Sequence, residues 1–128
     1  MGRSLGSASS CEILSNNEQD IDGCIIESGF GTEIPLMKIL DLMPEDLEYD
    51  KTQGFENLIK VTSYRKPLLI IHAEMDDIIP INEAKMMFNE SKTDKKELWI
   101  VPNANHNNIL MHAGEEYFKR IKKFIDAI

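Results

Sequence analysis

The sequence predicts an α/β fold in which helices flank a small parallel sheet. Leu68 to Ile71 form an unbroken aliphatic run opened by Pro67, which is the pattern of a strand buried on both faces, as in a parallel sheet. Segments with strand patterns alternate along the chain with segments of helical spacing, the order expected when helices connect parallel strands. We expect three strands, or slightly more, within a single domain that covers residues 1–128.

Composition and charge narrow the class of protein. Of the 128 residues, 42% are hydrophobic and 28% are charged, proportions that fit one soluble globular domain. The net charge of −8 argues against a nucleic-acid partner, for which a basic stripe is expected. No apolar run approaches about 18 residues and no signal-peptide pattern occurs, so we expect no membrane span and a cytoplasmic location. Cys11 and Cys24 lie among apolar residues, which predicts buried thiols rather than a disulfide.

The first segment carries a short glycine and serine motif. Gly2-Arg-Ser-Leu-Gly6 matches G-x-S-x-G, in which the serine occupies a strained turn between a strand and a helix. Helical spacing follows from about Leu5 to Ser15, and an apolar strand follows within Ile21–Gly29. Few residues precede Ser4, so we expect nothing within this chain to hold the approach to the turn. Glu27 ends the strand, where it is a candidate second acid, although we expect it to face solvent or a loop amide.

Residues 29–65 are the least regular part of the chain. We expect Thr32 to cap a short helix with Pro35 in its first turn, a loop at 50–54, and a second helix after it. The first helix carries an apolar stripe, which is more often core packing than a substrate wall. A helical excursion between two strand ends is also where a lid or an acyl pocket is expected. The stripe comprises Leu36, Met37, Ile39, Leu40 and Met43, and the second helix carries Phe55, Leu58, Ile59 and Thr62.

The strand at Leu68–Ile71 leads directly into three acids. Glu74, Asp76 and Asp77 follow it, either as solvated turn residues or as members of a site at the carboxyl end of the sheet. A helix over Asn82–Glu90 comes next.

The last third of the chain predicts a further strand, a polar loop and a terminal helix. The strand covers Lys96–Val101, and His106 lies at the centre of the loop that follows it. The helix over Glu115–Ile128 has an apolar face opposite a basic one. That apolar face comprises Tyr117, Phe118, Ile121, Phe124, Ile125 and Ile128.

Three polar side chains therefore follow three elements of one alternating chain: Ser4, Asp76 and His106. Their order of serine, acid and histidine is that of one of the serine-hydrolase folds and differs from the others. A serine hydroxyl is a poor nucleophile until an imidazole takes its proton, and a carboxylate fixes the imidazole tautomer and stabilises its charged form. The sequence predicts that the three groups converge at one rim of the sheet.

These segments resemble the α/β-hydrolase superfamily. Gly2–Gly6 is similar to its nucleophile turn, Lys66–Pro80 to its strand leading to the catalytic acid, and Pro102–Asn108 to its catalytic-histidine loop. Within the superfamily the chain is similar to the serine-aminopeptidase-like and Bem-type hydrolases, which carry a similar Glu-Ser-Gly-Phe, here Glu27–Phe30. The resemblance implies a serine hydrolase that acts on a small-molecule ester or amide, with an ester, thioester or peptide-like bond as the target.

The resemblance also implies roles for individual residues. Ser4 corresponds to the nucleophile, His106 to the general base and Asp76 to the acid, whereas Asp77 does not match the acid's position. The backbone N–H of Leu5 corresponds to one oxyanion donor. We expect no cofactor and no metal.

The match covers only the C-terminal half of such a fold, which implies a truncated α/β-hydrolase fold. We divide the domain into a nucleophile turn, helix and strand (1–28), a lid-like excursion (29–65), and the acid and histidine strands with the terminal helix (66–128). Ala73 and Asn105 stand where the superfamily usually has glycines. The loop that supplies a second oxyanion N–H lies outside the match, so we expect weak or absent activity from this chain alone.

Two other interpretations remain. The chain can be a non-catalytic α/β fragment whose strand at Gly23–Ile26 has an open edge, and an open edge invites pairing with another chain, so we expect a homo-oligomer. A metal site built from His72, His106 and His112 is the weaker alternative, because their spacing matches no compact ligand motif.

Overall fold

Four parallel strands form the centre of the molecule in the computed structural model, which describes residues 1–42 and 54–128. The strands lie in chain order across the sheet, and each is parallel to the next. Ile26 pairs with Gly2 on one side and with Ile70 on the other. The strands are β1 (Gly2–Arg3), β2 (Cys24–Glu27), β3 (Leu68–Ala73) and β4 (Lys96–Val101).

Helices connect the strands and cover both faces of the sheet. A short 3₁₀ turn at Glu18–Asp20 precedes β2. The helices are α1 (Gly6–Asn16), α2 (Ile34–Ile39), α3 (Asn57–Ser63), α4 (Ile81–Glu90), α5 (Ile109–Ala113) and α6 (Glu115–Asp126).

Alternate side chains of β3 are buried on opposite faces of the sheet, because successive side chains of a strand point to opposite faces. Leu68 and Ile70 pack with residues of α1, α3 and α4 on one face. Leu69 and Ile71 pack with residues of β4, α5 and α6 on the other. All six residues of β3 are buried, as the unbroken aliphatic run predicts, and the predicted parallel α/β class is confirmed.

The approach to the Ser4 turn differs from the prediction. Gly2 and Arg3 form a strand of their own that pairs with Ile26 and Glu27, and the backbone N–H of Ser4 donates to the Glu27 carbonyl at 2.9 Å. The turn is therefore held within the chain. The expected open edge of the second strand is also partly wrong, because β1 covers its carboxyl-terminal half.

Two predictions for residues 29–65 are wrong in detail. Thr32 does not cap α2, which begins after Glu33; instead the Thr32 hydroxyl and N–H bind the Glu83 carboxylate. The apolar stripe of α2 is core packing only in part, since that helix has no fully buried residue, although Leu36 packs on a core cluster. Met43 of that stripe and part of the loop at 50–54 lie outside the described residues.

The terminal helix buries only part of its apolar face. Tyr117, Ile121 and Phe124 pack against the sheet, whereas Phe118 and Ile125 are more than half exposed. The prediction placed all of these residues on one apolar face, and helical periodicity gives the direction of such a face but not the width of the surface that covers it.

Both cysteines are free and buried, as predicted. Burial raises the pKa of Cys11 to about 12 and that of Cys24 to about 11, so both thiols stay protonated near neutral pH. None of the helices within the described ranges is long and apolar enough to cross a membrane.

Candidate active site

Ser4 lies between β1 and α1 in a left-handed backbone conformation, with φ of 53°. Such a φ is uncommon for a residue other than glycine and persists only where the surrounding structure holds it. Here the Ser4 N–H is bound by Glu27 and its carbonyl accepts from the Ser7 N–H at 2.9 Å. The serine is therefore presented on a tightly held turn.

The two glycines of the motif differ in what surrounds them. A Cβ on Gly2 would lie 2.4 Å from the Gly6 carbonyl oxygen and 2.3 Å from the Ser10 hydroxyl, whereas a Cβ on Gly6 would meet nothing within 4 Å among the described residues. Only the first glycine lets the start of α1 approach β1.

Asp76 lies in the turn that follows β3, and its side chain is fully buried. Its Oδ1 accepts hydrogen bonds from the N–H groups of Ile78, at 3.1 Å, and Ile79, at 2.8 Å. The carboxylate is thereby fixed by the backbone of its own turn. Asp77, the adjacent acid, is exposed.

His106 lies between Asp76 and Ser4. Its Nδ1 is 2.9 Å from both carboxylate oxygens of Asp76, and its Nε2 is 2.9 Å from the Ser4 hydroxyl. Because a carboxylate only accepts, the neutral imidazole carries its proton on Nδ1 and leaves Nε2 to accept from the serine. The three predicted groups are thus brought together in one hydrogen-bonded chain.

The histidine loop is held to the acid turn through backbone groups. The Met75 N–H donates to the Ala104 carbonyl at 2.9 Å, and the Asn103 N–H donates to the Glu74 carboxylate at 2.9 Å. Asn103 has the left-handed φ in this loop. Asn105, at the usual glycine position, instead uses its side chain to accept from the Asn107 N–H at 3.0 Å.

His72 lies beneath the acid and is fully buried. Its Nε2 donates to the Ile79 carbonyl at 2.8 Å, in the same turn whose N–H groups bind Asp76. Burial lowers the pKa of His72, and the bond to Ile79 offsets this only in part. A neutral imidazole therefore supports the turn.

The sequence predicted that Glu27 faces solvent or a loop amide, and this prediction is wrong. Glu27 is buried and binds Arg3 and Tyr117, residues of β1 and α6. Burial, followed by the bond to Glu27, raises the pKa of Tyr117. Sequence reasoning gave Arg3 no role, placed Tyr117 on an apolar face and considered His72 only as a metal ligand. A charge next to the serine is the signal for Arg3 and a polar residue inside a buried run is the signal for His72, whereas Tyr117 carries none.

The backbone N–H of Leu5 lies directly after Ser4, where α1 begins. The N–H groups at the start of a helix have no partner within it and can donate to an anion. This position suits an oxyanion donor, and the role itself stays a prediction.

The histidines form no metal site among the residues that the structure describes. No group of three or more histidine, cysteine or acidic side chains lies close enough to hold an ion there. His72 is bound to Ile79, His106 to Asp76 and Ser4, and His112 is exposed on α5.

The sequence matches a family model over its whole length. The model describes the prolyl oligopeptidase family and covers residues 1–128. Among curated proteins, the α/β-hydrolase domain-containing protein aho-3 of Caenorhabditis elegans is 28% identical over 126 residues, 98% of this chain and 35% of that protein. Human α/β-hydrolase domain-containing protein 17B is 30% identical over 72 residues, 56% of this chain and 24% of that protein. The chain spans about a third of the length of the curated relatives that it matches from end to end.

Solved structures share the fold. The Pyrococcus furiosus esterase Pf2001 superposes with a TM-score of 0.75 at 22% identity, covering 98% of this chain and 52% of that one. A monoacylglycerol lipase of Paleococcus ferrophilus gives a TM-score of 0.72 at 16% identity, covering 98% and 66%.

Proposed function

Because the chain belongs to the prolyl oligopeptidase family, within the α/β-hydrolase superfamily, we propose that it is a serine hydrolase of an ester, thioester or peptide-like bond. The observation that carries the proposal is the unbroken hydrogen-bonded chain from Ser4 through His106 to Asp76. Each member has the neighbour that the chemistry requires, and the whole group lies at the carboxyl end of the sheet.

The proposed reaction begins when Nε2 of His106 takes the proton of the Ser4 hydroxyl as its oxygen attacks the carbonyl carbon of the substrate. Asp76, bound to Nδ1, stabilises the imidazolium that forms. The imidazolium then gives the proton to the leaving alcohol, thiol or amine, which leaves an acyl group on Ser4. His106 next takes a proton from a water molecule as the water oxygen attacks the acyl carbon, and it returns that proton to the serine oxygen as the carboxylic acid leaves.

The negative charge that develops on the carbonyl oxygen requires hydrogen-bond donors. We assign one, the N–H of Leu5, whose position after Ser4 and at the start of α1 supports the role. Loss of a single oxyanion donor costs on the order of 10²–10³ in turnover. With one assigned donor, we expect slow turnover by the 128-residue chain, so covalent labelling of the serine is a more sensitive readout than product formation.

An apolar acyl group is the substrate feature that the surface supports best. Ile39, Leu40 and Leu42, in and after α2, are more than half exposed. Leu36 of the same helix packs on a cluster that includes Ala8 of α1 and Ile79 of the acid turn. Two structures that share the fold are named as an esterase and a lipase, and the matched family is named for an oligopeptidase, so the proposal covers both ester and peptide-like bonds.

The proposal is tested with a fluorophosphonate probe, which labels activated serines. The wild-type chain is expected to react at one residue, and Ser4→Ala is expected to abolish that reaction. Ser9→Ala is the matched control, because Ser9 is an exposed serine on α1 and its loss should leave labelling unchanged. Absence of Ser4-dependent labelling in a folded chain would overturn the proposal.

The second proposal, which follows from the interpretation of the chain as a non-catalytic fragment, is that copies of the chain associate with one another. Within the described residues, β4 pairs on one side only, with β3, and Leu110, Met111 and Phe118 expose apolar side chains. Unpaired edges and exposed apolar groups both favour contact with a second copy of the chain.

A further inference from the structure

We propose that Arg3 is a positioning residue that fixes the His106 loop against the nucleophile turn, with Glu27 and Tyr117 as the support of its guanidinium. The inference rests on the proposed function of the Ser4–His106–Asp76 chain. It assigns a role to the residue that stands immediately before the serine.

The guanidinium of Arg3 bridges two segments that are far apart in sequence. Its Nε donates to Glu27 Oε1 at 3.0 Å. One terminal nitrogen, Nη2, donates to the main-chain carbonyl of His106 at 2.5 Å and to the Asn107 side-chain oxygen at 3.3 Å. The residue next to the nucleophile therefore binds the backbone of the base itself.

Glu27 is held from a second direction. It is only 5% exposed, and the Tyr117 hydroxyl of α6 donates to its other carboxylate oxygen. Glu27 also lies in register with Arg3 across β1 and β2, so the backbones of the two residues are fixed relative to each other. Arg3 is thus aimed at His106 by partners that are themselves fixed.

This arrangement supplies a restraint that the acid does not. Asp76 binds the far side of the imidazole at Nδ1, which sets the tautomer and the ring plane. The bond to the His106 carbonyl instead sets the position of the loop relative to β1, the strand that carries Ser4. A misplacement of about 1 Å in a catalytic group can cost roughly 10²-fold in rate.

Loss of a purely structural salt bridge would lower stability alone. The Arg3 side chain is 44% exposed but its partner Glu27 is buried, so Arg3→Ala leaves a buried carboxylate without its cation and should lower the thermal midpoint. At a temperature where both chains are fully folded, we also expect Arg3→Ala to lower the second-order rate constant of Ser4 labelling by about 10- to 100-fold. Arg120→Ala is the matched control, because Arg120 is a similarly exposed arginine on α6 that binds Glu97 and Glu116; its labelling rate should equal that of the wild type.

Chemical rescue separates positioning from packing. Added guanidinium ion can occupy the vacated, solvent-accessible site beside the buried Glu27 carboxylate, and it should restore part of the labelling rate of Arg3→Ala. The same ion should not rescue Arg3→Ala combined with Glu27→Gln, in which the anionic support is lost. Arg3→Lys should recover little, since one ammonium cannot match the fork that reaches Glu27 and His106 together.

The outcomes distinguish this inference from the proposed function. If wild-type labelling depends on Ser4 but Arg3→Ala reacts at the wild-type rate, or guanidinium fails to restore a lowered rate, the role of Arg3 is overturned and the hydrolase proposal stands. If the wild type shows no Ser4-dependent labelling, the hydrolase proposal fails, and amide hydrogen exchange at 106–108 tests the tether alone. Exchange there should be faster in Arg3→Ala and should slow on adding guanidinium; unchanged exchange would overturn the tether.

Discussion

Asp76 and Asp77 are neighbouring acids in opposite surroundings. The side chain of Asp76 is fully buried against His106, and that of Asp77 is exposed. We predict that Asp76→Asn lowers the rate of Ser4 labelling by about 10³–10⁴, because an amide can donate to Nδ1 and stabilise the wrong imidazole tautomer. The rate of fluorophosphonate labelling near neutral pH measures this.

Asp77→Asn makes the same chemical change one position along the chain. It should leave the labelling rate within about twofold, since surface substitutions away from a site have small effects. Equal losses in the two variants would argue against Asp76 as the specific partner of the histidine.

The burial of His72 makes the free energy of unfolding depend on pH. Its pKa is lowered from the ordinary value of 6.5, chiefly by burial, so the folded chain keeps it neutral while the unfolded chain protonates it. The stability it contributes is present above about pH 6.5 and is lost below that, by up to about 1.4 kcal/mol per pH unit.

Urea unfolding between about pH 5 and pH 7.5 measures this slope. His72→Gln removes the titration while retaining a donor for the Ile79 carbonyl, so its slope should be shallower than that of the wild type. His112→Gln, at an exposed histidine, should keep the wild-type slope. If the unfolding free energy of His72→Gln changed with pH as steeply as that of the wild type, the prediction would be wrong.

Among the secondary elements, the junction of β1 and α1 gives a paired test. Gly2→Ala should destabilise the chain by about 1–3 kcal/mol, because the new Cβ would overlap the backbone oxygen of Gly6. Gly6→Ala should be neutral or stabilising by about 0.5 kcal/mol, since its site is open among the described residues and alanine favours a helix. Denaturant midpoints of the two variants measure this, and reversal of their order would contradict it.

Elements with strong local patterns could be predicted from the sequence, and their bounds agree with the structure. Lys96–Val101 is a strand over the predicted residues, and α4 begins one residue before its predicted start. In contrast, α5 was not anticipated, because its five residues give too short a window for a 3.6-residue period. The strand β1 was missed because two residues hold no pattern, and only pairing with β2 makes them a strand.

The candidate site divides in the same way. Ser4, Asp76 and His106 were predicted because each residue type sits in a motif with a known chemical order. Arg3, Glu27 and Tyr117 were not, since Arg3 meets Glu27 through the pairing of β1 with β2 and Tyr117 meets Glu27 through the packing of α6 over the sheet. The partial exposure of the apolar face of α6 was also not predicted, because it depends on how the helix packs on the sheet and not on the helical period.

For the whole molecule, we predict association between copies of the chain. Among the residues that the structure describes, β4 pairs on one side only, and α5 and α6 expose apolar side chains, which supports this. Light scattering over a micromolar concentration series should give a mass above the 14.6 kDa of one chain. A constant mass of 14.6 kDa would contradict the prediction.

Ser4 and His106 touch although 102 positions of the polymer separate them. The segment from Ser4 to His106 is therefore one loop closed by a hydroxyl and an imidazole. A probe applied at successive times during refolding would react only with molecules in which the segments around Ser4 and His106 have already met.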